Sequence, residues 1–167
     1  EFLPFLYPNQ YVNFSPDSEA SKLALSMVSE DTSDIDALKQ IYNYVVNNLS
    51  YDYDKAETVE TGYLPDVDET LSTKTGICFD YAALTTAMLR SCDIPCKLQI
   101  GYTGDIKHAW IDVYIRSKGW VTNAVSFNGD SWSLMDPTFD SSADSDDSEA
   151  IQDYIGNADN YTVQFTR

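Results

Sequence analysis

The chain has 167 residues and sets 10 Lys+Arg against 27 Asp+Glu, a formal net charge of −17 at pH 7. The length suits one compact domain, and 43% hydrophobic with 13% aromatic residues is enough for a core, which excludes global disorder. Such acidity repels phosphate backbones and anionic lipid surfaces, excluding nucleic acid as a partner. No stretch approaches the ~20 apolar residues of a membrane span.

The first residue is Glu1 rather than Met, as expected of a processed end. With the acidity and 12 tyrosines, this points to an extracellular or cell-surface protein. Residues 1–16 mix aromatics with Pro4, Pro8 and Pro16 and read as an irregular arm laid on the domain. From Ser18 to about Glu30 the pattern is helical, with Leu23, Met27 and Val28 on one side. Ser33-Asp34-Ile35-Asp36 then resembles a capping box. Ile35, Leu38, Ile41, Tyr42, Val45, Val46 and Leu49 follow as one apolar stripe. Residues 50–75 are polar, with a short helical turn expected over Asp66–Leu71.

A buried helix is predicted over Cys78–Ser91, stopped by Pro95, which pushes the residue before it out of the α region. Strands are predicted at Cys96–Tyr102, His108–Ile115, Gly119–Phe127 and Trp132–Phe139, with Asn128-Gly129 turning the last pair. The stretch 140–153 is rich in Ser and Asp. Helices first and an antiparallel meander after them define an α+β fold. The arm and first helix occupy residues 1–34 and the core 35–140. An acidic segment over 141–167 is expected to belong to the same single domain.

Three residues carry candidate chemistry. Cys78 opens a helix, where unpaired N–H groups and the helix dipole favour a thiolate below the ordinary thiol pKa of about 8.5. His108 is the sole histidine. It shares strand parity with Trp110, Asp112 and Tyr114, opposite the apolar Ala109, Ile111, Val113 and Ile115, so it is expected on a more polar side where it titrates. Asp136 stands before Pro137 at a strand end, where a carboxylate can orient an imidazole.

These residues sit in recognisable surroundings. Gly76-Ile77-Cys78-Phe79-Asp80-Tyr81-Ala82, Leu89-Arg90, Ile94-Pro95, Gly101-Tyr102, His108-Ala109-Trp110, Asp112-Val113-Tyr114, Gly119-Trp120 and Asp136-Pro137-Thr138-Phe139 together resemble the transglutaminase-like superfamily over roughly residues 35–140. Leu64-Pro65-Asp66 through Cys78 looks most like its stand-alone bacterial members. The resemblance implies a papain-like core with the cysteine helix on an antiparallel sheet. It also implies Cys78 as nucleophile, His108 as base and Asp136 as orienting carboxylate. Where the family usually has Gly before Ile-Pro this chain has Asp93. No motif assigns a second oxyanion donor. Tyr51 and Tyr53 are candidates for it, and Trp110 is expected beside the cleft.

The expected activity is thiol-dependent acyl transfer on peptide amide or isopeptide bonds, hydrolysis favoured over transamidation. The substrate would be a protein or peptide, basic or amine-bearing if the −17 charge steers it. The rival is a non-catalytic binding or structural module that retains the fold. No cofactor is implied, and one histidine with scattered thiols does not make a zinc site. Asp144-Ser145-Asp146-Asp147-Ser148-Glu149 lacks the glycine and spaced glutamate of a calcium loop. Cys92 and Cys96 bracket a tight connection and are either bridged or separately buried.

Overall fold

A computed structural model describes residues 2–128, 131–134 and 161–167. The N-terminal arm holds a 3₁₀ turn at Leu3–Phe5 and a bridge between Asn9 and Val12. Two helices follow, α1 at Glu19–Met27 and α2 at Asp34–Asn48. Ser33 caps α2 by accepting from Asp36 N at 3.1 Å. The Asp36 carboxylate, one methylene shorter than Glu, accepts a hydrogen bond from the Ser33 hydroxyl instead of reaching back to the N-cap N–H. The expected stripe is real: Leu38, Ile41, Val45 and Leu49 are buried.

The polar stretch contains more structure than its pattern suggests. Strand β1 (Ser50–Tyr51) pairs in parallel with β2 (Thr75–Gly76). Between them lie α3 at Tyr53–Thr58 and α4 at Val67–Thr73. Pairs of two residues leave no periodicity to read, and α3 buries none of its own residues.

Helix α5, Cys78–Ser91, has the predicted bounds and is buried continuously from Asp80 to Arg90. Small residues at 82, 83 and 87 let it lie between the sheet on one side and α1, α2 and α4 on the other. The sheet comprises β3 (Cys96–Thr103), β4 (Ile106–Ile115), β5 (Gly119–Asn128), β6 (Ser131–Leu134) and β7 (Tyr161–Thr166). Its order is β6-β5-β4-β3-β7, with every pair antiparallel. The predicted hairpin between β5 and β6 is present, but Asn128 pairs with Ser131 as the last residue of β5, so the pairing runs one residue into the expected Asn128-Gly129 turn. Of the strand expected over 132–139, residues 135–139 lie outside the described residues, as does the acidic run at 144–149.

Strand β4 keeps the predicted register, with Ala109, Ile111, Val113 and Ile115 buried in the core with α5. The opposite face departs from expectation. His108, Trp110 and Asp112 are buried too. The N-terminal arm lies against this side farther along, with Phe2 4.5 Å from Tyr114 and Phe5 5.6 Å from Trp120, ring to ring. Buried Arg90 ties the chain ends to α5 by donating to the carbonyls of Tyr7, Cys96 and Arg167. Burial lowers the pKa of its guanidinium, and those carbonyls replace the lost water.

Candidate active site

Cys78 is placed by the way α5 begins. Its N-cap, Ile77, is extended and has no side-chain acceptor. Asp80 at the third helical position supplies half of a capping box, accepting from Ile77 N at 2.9 Å. The next N–H groups are left for the thiol: those of Cys78 and Phe79, with Ala109 from β4, all favour its anion. The Ala109 contact brings the sulfur against β4 beside His108. Cys78, His108 and Ala109 line one cavity of about 250 Å³.

His108 is 8% exposed and stacks on Trp110, with ring centroids 6.3 Å apart and planes 20° from parallel. Trp110 thus backs the imidazole rather than lining the cavity. Across the ladder stands Gly101, where a Cβ would come 1.9 Å from the Thr162 carbonyl oxygen and 3.0 Å from the Trp110 ring. A side chain there would force β7 off β3.

Tyr51 joins the site because β1 pairs with β2 just before Cys78, aligning Tyr51 with Gly76. It lines the cavity, and the nearby Cys78 N–H favours the anion of its hydroxyl. Burial is the larger influence on that phenol and pushes it up to about 12, so it stays protonated. Tyr53, by contrast, is 57% exposed and outside the cavity lining, its ring edge-on to Tyr51 at 5.0 Å. Asp136 lies outside the described residues. Asp112, the other carboxylate on the His108 face, accepts from Gln99 Nε2 at 2.7 Å. Four residues along a strand put it about 13 Å from His108.

The electrostatics correct one expectation. Burial pushes the Cys78 thiol up, and the three N–H groups only partly offset it; the nearby Asp80 charge adds to the rise. Burial also lowers His108 to about 4. The resting pair is therefore neutral thiol and neutral imidazole rather than a preformed thiolate, because desolvation outweighs the helix dipole at this depth. His108 should titrate near pH 4 by NMR, against about 6.5 when unfolded. Between those values the unfolded chain binds the extra proton, so stability is complete above ~6.5 and falls as pH drops towards 4. A native midpoint near 6.5 would contradict the burial account.

One cluster beside the thiol has no counterpart in the sequence analysis. Asp80, 0% exposed, pairs with Lys55 at 2.9 Å and accepts from the Tyr63 hydroxyl, which itself accepts from Lys55 Nζ at 2.6 Å. Asp80 was legible as an acidic residue in a first helical turn. Lys55 and Tyr63, in a polar stretch, carried no local signal. Gly76 belongs to the same packing, since a Cβ there would sit 2.7 Å from Asp80 Cβ. Cys92 and Cys96 are both free thiols, so the bridge alternative is dropped. Cys96 is buried and donates to Thr86 Oγ1 at 3.5 Å.

A thiol at the start of a buried helix, held against an antiparallel sheet that presents an imidazole, defines the papain-like class of fold. The chain belongs to the transglutaminase-like superfamily, whose family model matches residues 21–137. A UPF0252 protein of Methanocaldococcus jannaschii is 40% identical over 62 residues, 34% of this chain and 18% of its own length. The kyphoscoliosis peptidase of Mus musculus is 24% identical over 136 residues, 74% of this chain and 18% of its own. A candidate cysteine protease from Cytophaga hutchinsonii has a similar solved fold, with TM-score 0.57 and 23% identity over 77% of this chain and 41% of that one. The periplasmic domain of TgpA from Pseudomonas aeruginosa is similar at TM-score 0.52 and 18% identity, over 66% of this chain and 43% of that one. The chain thus spans about a fifth of the length of the curated relatives it matches. No helix among the described residues is long and apolar enough to cross a membrane.

Proposed function

We propose that this chain performs thiol-dependent acyl transfer on peptide amide or isopeptide bonds through Cys78, His108 and Asp136, with hydrolysis favoured over transamidation. The observation that carries the reading is the shared cavity of Cys78 and His108, with the Ala109 N–H on the thiol. Asp136 enters on its Asp-Pro strand-end position in the sequence.

With both groups neutral at rest, neutral His108 takes the thiol proton as the sulfur attacks the substrate carbonyl. The oxyanion is met by the Cys78 N–H and the Tyr51 hydroxyl, the second donor that no motif assigned. The imidazolium returns its proton to the departing amine, leaving a thioester on Cys78. Water, activated by the same imidazole, releases the acid; an amine nucleophile would instead give a new amide. Asp136 orients His108 and steadies the imidazolium. The acidic surface suits basic or amine-bearing protein substrates. An extracellular or cell-surface setting accords with the periplasmic origin of one structural neighbour.

A peptide panel offered with and without a lysine donor, followed by mass spectrometry, tests this directly. The expected result is cleaved peptide in both arms, little donor adduct, and an acyl mass trapped on the Cys78 peptide. Turnover without an acyl mass on Cys78 would remove the covalent mechanism, and donor adducts in excess of acid would reverse the preference.

A further inference from the structure

We propose that the segment from α3 to Tyr63 is the specificity wall of the Cys78 cleft, that it seats an apolar side chain of the acyl substrate, and that Lys55, Tyr63 and Asp80 latch it to the thiol's helix. The proposal rests on Cys78 being the nucleophile.

The segment lines the cavity with Ala56, Val59, Glu60, Gly62 and Tyr63, and Phe79 of α5 and Ile100 of β3 line it too. Helix α3 has no buried residue of its own, so burial in the core does not hold it in place. Polar contacts do. Asp52 caps it, accepting from Lys55 N at 2.8 Å, while Asp52 N donates to the Gly76 carbonyl at 2.9 Å. At the far end Gly62, at φ 93°, turns the chain back so that Tyr63 reaches α5. There Lys55 and Tyr63 both close on the fully buried Asp80, with Lys55 Nζ also 4.4 Å from the Tyr63 ring centre. Tyr63 meets Phe79 edge-on at 6.2 Å.

The latch takes up two of the wall's polar groups, those of Lys55 and Tyr63. The Tyr63 hydroxyl and the Lys55 amine are engaged with each other and Asp80, which leaves Ala56 and Val59, with Phe79 and Ile100, as the apolar surface of the cavity. Val59 remains 36% exposed. Glu60 and Lys107, of opposite sign, also line the cavity and give it no overall charge preference. At about 250 Å³ the space is smaller than the roughly 300–1,000 Å³ of sites for whole small ligands, which suits one bulky side chain.

Alkylating probes test this without a known substrate. Iodoacetamide, N-iodoacetyl-phenylalanine amide and N-iodoacetyl-glutamic acid amide each form a bond from the Cys78 sulfur to the CH₂ carbon. Iodide leaves and the thiol proton passes to base. Rates of Cys78 labelling are read by peptide mapping at about pH 8.5, near the ordinary thiol pKa. The phenylalanine probe should label at least ~10-fold faster than the other two, the scale of discrimination by an apolar pocket. Val59→Lys, at a partly exposed position that tolerates polarity, should erase most of that preference. Tyr63→Phe, which keeps the ring but loses the latch hydroxyl, should erase much of it, whereas Lys55→Arg, which preserves the ion pair, should retain it. Equal rates for the phenylalanine and glutamate probes, or a preference untouched by both Val59→Lys and Tyr63→Phe, would overturn the wall. A parallel loss of iodoacetamide labelling in Tyr63→Phe would also overturn it, by showing that the network acts on the thiol. Failure of all three probes to label Cys78 would instead remove the nucleophile, and the proposal with it.

Discussion

Cys78→Ala should lower kcat by about 10⁶-fold, the scale seen when the nucleophile of a serine-hydrolase triad is removed. The expectation follows from the division of labour in the site. The N–H groups of Cys78, Phe79 and Ala109 all favour a negative charge on the sulfur, and without the sulfur no acyl bond can form. What remains is the cavity and its oxyanion donors, which bind substrate but give it no covalent route. KM should therefore change little while kcat collapses, in a variant whose melting temperature stays close to that of the parent. Steady-state kinetics on the best peptide of the panel decide the matter. A variant within tenfold of the parent would mean that Cys78 is not the nucleophile, whereas parent and variant equally inert on every substrate class would leave the fold as a binding module.

Asp136→Asn should cost about 10⁴-fold in kcat with the fold intact, as for the equivalent change in a serine triad. The burial of His108 is the reason the effect should be large. An imidazole whose pKa is lowered to about 4 resists the positive charge it must carry in the transition state. A carboxylate on its other nitrogen supplies the missing stabilisation, and an amide supplies only a dipole. Asp112 cannot take over, because it is committed to Gln99 and lies too far along β4. Unaltered turnover in Asp136→Asn would remove this residue from the mechanism.

The parts of the fold legible in the sequence are those in which many residues vote for one pattern. Helix α5 was bounded by Gly76 and Pro95 and filled with alanines and leucines, and β4 alternated over eight residues. The β1–β2 pair was not legible, since two residues a side carry no periodicity. Strand β7 carries no local signal of its own, because it follows an acidic stretch and gains its place only from β3, where Gly101 clears the space for it. The half-capping of α5 by Asp80 lay in plain view. Its pairing with Lys55 and Tyr63 did not, because those residues reach it only through the folding of an irregular segment.

The same distinction runs through the candidate site. By itself the sequence determined its chemical inventory, a helix-start cysteine, a single histidine on a strand and an acidic residue at a strand end, because helix starts and strand parity are local properties. Only the tertiary structure decided the electrical state of that inventory. The sequence expectation was a titrating imidazole on a more polar side, beside a thiolate. The described residues instead bury His108 against Trp110 and push the Cys78 thiol up. Desolvation is a property of everything packed around a group, contributed here by α3, α5 and two strands at once, and no local pattern encodes that sum.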